Sequence, residues 1–277
     1  MATSIVETIT PQKAQEYLAK SGGNRNISKG VVNSYATTMR EGKWLLNGEP
    51  IVFDLNDVLL NGHHRLYAVI QSNTPIQTFV TRGVEHEAFT TFDCGRSRTL
   101  GQLIGMQGIK HYTSVASVVN VAFRLVNNLA ISNTGLGADA KRTNSQMIDF
   151  FNRDRELFIE AGEFGTSMRN KAPFVDTSTI GGAYYFLIRY GAYKRDFVKD
   201  FFEDLCRMGT SKHKVVDILR EKLQRNKMCS TKVTLKSVNA ALIIKAWNFY
   251  VKGVVPKVLL FNPKKEDYPH FIKHNEL

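Results

Sequence analysis

The densest run of chemistry-bearing residues in the chain is Leu59-Leu60-Asn61-Gly62-His63-His64-Arg65-Leu66-Tyr67-Ala68. An amide, a glycine, two imidazoles and a guanidinium stand side by side between apolar neighbours. Leu59-Leu60 reads as the end of a strand, Asn61-Gly62 as a tight turn, and His63 onward as the first turn of a helix. The first N–H groups of a helix have no intrahelical acceptor and carry the positive end of its dipole. A phosphate seated there would meet those donors, the imidazoles and the Arg65 fork together. A zinc pair is the poorer reading, because the histidines are adjacent and not three or four apart. Upstream, Glu49 lies at the mouth of the next strand, where a carboxylate can hold Mg²⁺ or act as an acid/base group. An exposed turn carboxylate without function is an equal reading of the same residue.

The elements that must position these groups alternate through the first hundred residues. Thr10 caps a helix that starts at Pro11 and runs to about Ala19. Ser28 caps a second, with Val31, Val32, Tyr35, Ala36 and Met39 as its apolar stripe and an end before Gly42. Pro50–Phe53 and Val58–Leu60 flank the turn Asp54-Leu55-Asn56-Asp57 as a hairpin. A helix follows from His63 to about Gln71, a strand over Ile76–Thr81, a helix from Glu85 to about Phe92, and another from Arg96 to about Ile104. No element is assigned before Thr10. Beyond residue 105 the signal is helical, over Ser114–Leu129, Ser145–Gly162, Thr177–Tyr190, Arg195–Cys206, Lys212–Gln224 and Leu235–Val251, with Asp176, Thr177 and Ser178 as capping residues. Pro256–Phe261 reads as a last short strand. The expected fold class is α/β (α+β): a small mixed β-sheet domain over 1–104, then an all-helical domain over 105–277.

The 277 residues carry 37 basic against 25 acidic side chains, a formal +12. Residues 1–104 hold 10 basic and 9 acidic groups, whereas residues 210–257 hold 11 and 2. A concentrated excess of this kind points to a polyanion, since each neutralised phosphate releases a counterion. Lys212, Lys214, Arg220, Lys222, Arg225, Lys227, Lys232 and Lys236 are the residues expected against a DNA backbone, without base preference. Tyr184, Tyr185, Phe186 and Tyr190 have the chemistry to stack on bases, but their spacing is that of a helix core. With 43% apolar residues the chain is an ordinary globular one, and no apolar stretch is long enough to span a membrane. No secretory signal is visible, and three scattered cysteines (Cys94, Cys206, Cys229) exclude a disulfide framework, so a reducing, cytoplasmic location is expected.

Three segments together carry a resemblance: Gly48-Glu49-Pro50-Ile51, the Asn-Gly-His-His-Arg turn, and Asp93-Cys94-Gly95-Arg96-Ser97-Arg98-Thr99. They resemble the ParB/sulfiredoxin-like superfamily, and most of all the phage-encoded ParB N-terminal-domain-like proteins, which carry an Asp-Gly-Gln-His-Arg type of turn and a later Asp-x-Gly-x-x-Arg-Thr. Ile244-Lys245-Ala246-Trp247-Asn248 is similar to the last helix of that subset. In the superfamily the strand–turn–helix cradles nucleotide phosphates, of CTP in chromosome-segregation ParB proteins and of ATP in sulfiredoxins. The resemblance therefore implies a nucleoside triphosphate held by Asn61, Gly62, His63, His64 and Arg65, with Arg96, Arg98 and Thr99 as a second wall and Mg²⁺ at Glu49.

Two departures bear on activity. A kinase-like branch acting on free serine has Asp where this chain has Asn61, and an amide cannot serve as a general base. The reactive cysteine of sulfiredoxins falls where His63 stands, so that chemistry is not expected, and Cys94 reads as an inert thiol. The reading is a phage-type protein that binds a nucleoside triphosphate, ATP or CTP, and DNA, acting in the host cytoplasm. The alternatives are an enzyme of the same fold, a phosphotransferase, NTPase or nuclease with Glu49 and His64 as acid/base groups, and a protein-interaction module without nucleotide. A homo-oligomer is left open.

Overall fold

The computed structural model of the chain describes residues 1–22, 27–91, 98–131, 143–229 and 235–276. Within them, eleven α-helices and four strands make a mixed α/β protein. The chain divides into two compact units, Met1–Ser97 with Leu136–Gln146, and Arg98–Gly135 with Met147–Leu277. All four described strands belong to the first.

That unit runs β1 (Thr3–Ile9), α1 (Pro11–Ala19), α2 (Lys29–Arg40), β2 (Ile51–Asp54), β3 (Leu59–Asn61), α3 (His63–Ser72) and β4 (Ile76–Val84), then a 3₁₀ turn over His86–Thr91. The sheet order is β1-β4-β2-β3. β2 and β3 form the expected antiparallel hairpin, with Val52 opposite Asn61. α3 then carries the chain back so that β4 lies parallel to β2. β1, in a stretch where the sequence suggests no element, pairs antiparallel with β4.

Thr10 caps α1 as expected, accepting from the Lys13 N–H at 3.2 Å, whereas Ser28 stands at the head of α2 without a side-chain cap bond. Ile9, Ala36, Ile51, Phe53, Leu66 and Val80 are fully buried where the three helices cover the sheet. At the rim of this core Tyr17 donates to Glu7 at 2.5 Å and accepts from Arg82 at 2.6 Å, while Lys13 and Arg82 pair with Glu7. Partial burial pushes the Glu7 carboxyl up, but these donors outweigh it and hold it down at about 2.

The second unit contains α4 (Leu100–Gly105), α5 (Tyr112–Val126), α6 (Asn144–Arg153, its first turn shared with the other unit), α7 (Arg155–Lys171), α8 (Thr177–Arg189), α9 (Arg195–Cys206), α10 (Lys214–Cys229) and α11 (Leu235–Val251). α8 is apolar almost all round and is the buried centre. Tyr184, Tyr185 and Phe186 are core residues of this helix, with Tyr185 stacked on Phe158 at 3.9 Å, so only Tyr190 reaches solvent.

Three sequence expectations are corrected. Ser145–Gly162 is two helices, broken at Asp154, whose carboxylate leaves the helical path to accept from the Tyr185 hydroxyl at 2.8 Å and pair with Arg189. Pro256–Phe261 is not a strand. Leu259 and Phe261 bury their side chains, and the Leu260 carbonyl accepts from Lys245 at 2.7 Å, so an alternating pattern is satisfied without a ladder. The helix expected to begin at Arg96 is shorter and begins at Leu100, because Thr99 and Gln102 form a capping box there.

The central helices touch backbone to backbone. A Cβ on Gly165 would stand 2.3 Å from the Thr177 carbonyl oxygen, and one on Gly181 2.5 Å from the Ala161 carbonyl oxygen. Helix propensity alone favours alanine at such a position by about 1 kcal/mol. Here the collision is with main chain that cannot swing aside, so Gly181→Ala is expected to cost about 2 kcal/mol net. Urea denaturation followed by fluorescence of the buried Trp247 reads this directly, and an unchanged or raised midpoint refutes it.

Candidate functional site

Gly62 is the pivot between β3 and α3. Its φ of 110° suits glycine, and a Cβ there would lie 2.9 Å from Ile51 Cγ1 and 3.3 Å from Ile51 Cα. The Gly62 N–H donates to Asn61 Oδ1 at 2.7 Å, and the Leu66 N–H closes the first helical turn on the Gly62 carbonyl at 3.0 Å. Both features come from the short string the sequence analysis singles out.

The side chains of that string diverge. Arg65 is only 8% exposed, and its guanidinium donates to the backbone carbonyls of Glu49 and, at 2.8 Å, of Pro50. Both of these acceptors are main-chain oxygens at the head of β2. His63 is buried, with Nε2 2.9 Å from the Ser21 hydroxyl. His64 is half-buried, and its Nε2 accepts the Ser28 N–H at 3.1 Å, which places the ring proton on Nδ1 in this arrangement. Asn61 is buried, with its oxygen given to Gly62. The two histidines thus tie the head of α3 to Ser21, just beyond α1, and to Ser28 at the head of α2.

Glu49 contributes its carbonyl to Arg65 and its N–H to Asn47 Oδ1 at 3.0 Å, while its carboxylate is exposed with no partner among the described residues. Among the described residues no group of three or more His, Cys, Asp or Glu gathers to hold a metal ion. Two further groups, unmarked by any motif, belong to the same unit. Asp54 closes the hairpin by accepting the Asn56 and Val58 N–H groups at 2.8 Å, and its other oxygen meets His86 Nδ1 at 2.7 Å. The His86 bond, then those backbone donors, hold the Asp54 carboxyl below the usual range. The Asp54 turn was legible from Asp-Leu-Asn-Asp; nothing in the sequence pointed to His86.

Arg96, Cys94 and Lys232 lie outside the described residues. Arg98 is exposed, and the Thr99 hydroxyl accepts from the Gln102 N–H at 3.2 Å as the cap of α4; both begin the second unit.

The basic residues separate into two groups. Arg220 is half-buried against the end of α9, donating to the carbonyls of Asp204, Leu205 and Gly209 and to Asp217 at 2.7 Å. Lys236 donates to the Ser178 hydroxyl at 2.6 Å and lies 3.5 Å from Asp176, the cap of α8. Lys212, Lys214, Arg225 and Lys227 are exposed and Lys222 half-exposed, while Val216, Leu219 and Leu223 bury the opposite stripe of α10. Of the three cysteines, Cys206 is described as a free thiol, and burial pushes it up to about 12, as suits an inert group. No helix among the described residues is long and apolar enough to cross a membrane.

No family model, curated protein or solved structure matches the chain.

Arg65→Ala removes a charged donor from the carbonyls of Glu49 and Pro50, leaving Glu49 only the long bond from the Thr78 hydroxyl. The expected cost is about 2 kcal/mol of stability, from the charged hydrogen bonds lost. Chemical denaturation of the variant checks this, and a midpoint equal to the wild type would show that Arg65 is dispensable for the fold.

Proposed function

We propose that the chain is a nucleotide- and DNA-binding protein of the ParB/sulfiredoxin-like kind, resembling the phage-encoded ParB N-terminal-domain-like proteins. The phosphates of a nucleoside triphosphate would meet the first turn of α3, and a DNA backbone would lie along the exposed face of α10. The observation that carries the first half is the β3–Gly62–α3 corner. A strand ends, a glycine in a conformation few other residues take turns the chain, and the positive end of a helix begins at the rim of the sheet. Because His63 and Arg65 turn inward, the contacts expected with phosphate move to the backbone of that turn and to His64. Glu49 offers one exposed carboxylate, which suits Mg²⁺ only when phosphate oxygens and water complete the shell.

The engaged Asn61 favours a binder over a phosphotransferase. Its amide oxygen already accepts the Gly62 N–H, and an amide is no general base. An NTPase, kinase or nuclease would have to run through Glu49 and His64.

Calorimetry against ATP, CTP, GTP and UTP, with and without Mg²⁺, tests the nucleotide half. Binding of at least one is expected, with Glu49→Gln weakening it about tenfold only when Mg²⁺ is present. Absence of binding to all four defeats the proposal, and turnover abolished in Glu49→Gln would favour the enzyme instead.

For the DNA half, four or five exposed cations reaching phosphates imply a slope of log K on log salt of roughly −4. Reversing the charge of Lys214, Arg225 and Lys227 should flatten that slope by about two or three units and leave the fold intact. Gel-shift titration at several salt concentrations decides, and equal binding by wild type and variant means that the basic face of α10 serves solubility alone.

A further inference from the structure

The sheet of the first unit stops at β1, which has β4 on one side and no strand on the other among the described residues. An edge strand turns every second N–H and C=O away from its neighbour, and proteins guard such edges with lysine, proline, a bulge or a covering segment. Among the described residues β1 has none of these. Its seven residues, Thr3-Ser4-Ile5-Val6-Glu7-Thr8-Ile9, contain no lysine or proline, and they pair with β4 without a register shift. Ile5 is 56% and Val6 46% exposed, although they point to opposite faces. The only charged side chain on the strand, Glu7, is already neutralised by Lys13 and Arg82.

We propose that β1 is a self-association edge, pairing antiparallel with β1 of a second copy about a two-fold axis at Ile5. A two-fold pair keeps each residue opposite one on the same face, and the strand is self-complementary in that register. Ile5 meets the partner's Ile5, Ser4 meets the partner's Val6, and Thr3 brings a hydroxyl donor to the partner's Glu7. No like charges face each other. An axis at Glu7 would oppose two carboxylates, and one at Val6 would set Ile5 against a carboxylate. Charge also selects the copy's route of approach. The whole chain carries +12, which keeps copies apart, but Met1–Ser97 with Leu136–Gln146 hold 11 basic and 10 acidic groups, so this unit is nearly neutral and adds little to that repulsion. The product is an isologous dimer in which two four-stranded sheets become one.

Light scattering after gel filtration of the full chain tests this. The mass is expected to rise from 31.3 kDa towards twice that value as the concentration increases from about 5 to about 300 μM. Ile5→Lys, at an exposed position, should keep the chain monomeric over the same range with its thermal midpoint unchanged. Ile5→Cys supplies a readout that does not depend on that variant. Under mild oxidation it should give a disulfide-linked dimer on a non-reducing gel, which the wild type with its own three cysteines does not. A wild type that stays monomeric at the highest concentration overturns the proposal. So does a dimer that survives Ile5→Lys, or an Ile5→Cys chain that crosslinks no more than the wild type. Capture of an unrelated extended peptide by a monomeric chain would give the edge to a different occupant and equally overturn it.

Discussion

The contact between the Arg65 guanidinium and the carbonyls of Glu49 and Pro50 is the one on which the candidate site depends. Two peptide oxygens lie side by side just before β2, and a delocalised cation is among the few donors that can serve both at once. By serving them it fixes the mouth of β2 against the first turn of α3. Gly62 completes the constraint from the other side, because Ile51 leaves no room for a Cβ. Arg65 and the absent Cβ of Gly62 thus hold the helix start against the mouth of β2, while His63 and His64 tie it to Ser21 and Ser28.

That arrangement was partly legible. Hydrophobic spacing located α9 and α11 to the residue, and the polar turn between two apolar runs located the β2–β3 hairpin, because these signals are local. Asn61-Gly62 announced a turn for the same reason. The direction in which Arg65 and His63 point was not legible, since it is decided by carbonyls and hydroxyls from other stretches of chain. The break at Asp154 was hidden too, because the apolar stripe keeps its phase across it and the cause is Tyr185 on another helix. β1 escaped notice because five of its seven residues are exposed and its pairing partner begins only at Ile76. Pro256–Phe261 erred the other way: alternation signals which side chains are buried, not that a neighbouring strand exists.

The basic stretch shows how a charge count overstates a surface. Arg220 satisfies carbonyls at the end of α9, Lys236 supports the head of α8, and Lys245 joins Leu260 and Glu266. These cations already serve carbonyls, a capping residue and a carboxylate of the chain itself. The outward stripe of α10, opposite the apolar residues that seat the helix, stays open to solvent, as do Lys212, Lys252 and Lys257. Sequence gives the number of charges, whereas the unsatisfied carbonyls of neighbouring helices decide how many are spent internally.

The pairing of β1 with β4 has a consequence for the nascent chain. Ile9 must wait for Ile76, and Thr3 for Arg82, before either can close its ladder. During synthesis α1, α2 and the β2–β3 hairpin all emerge while the first strand of the sheet has nowhere to dock. Glu7 likewise gains its Arg82 counter-ion only then. The unit therefore cannot mature from its N-terminus inwards. It waits as a loose set of local structures, with Ile9 uncovered, until translation has passed β4, and closing that long loop is the slow, entropically costly step. Translational pausing before Ile76 would prolong this vulnerable interval, whereas a pause after Val84 would give the sheet time to assemble.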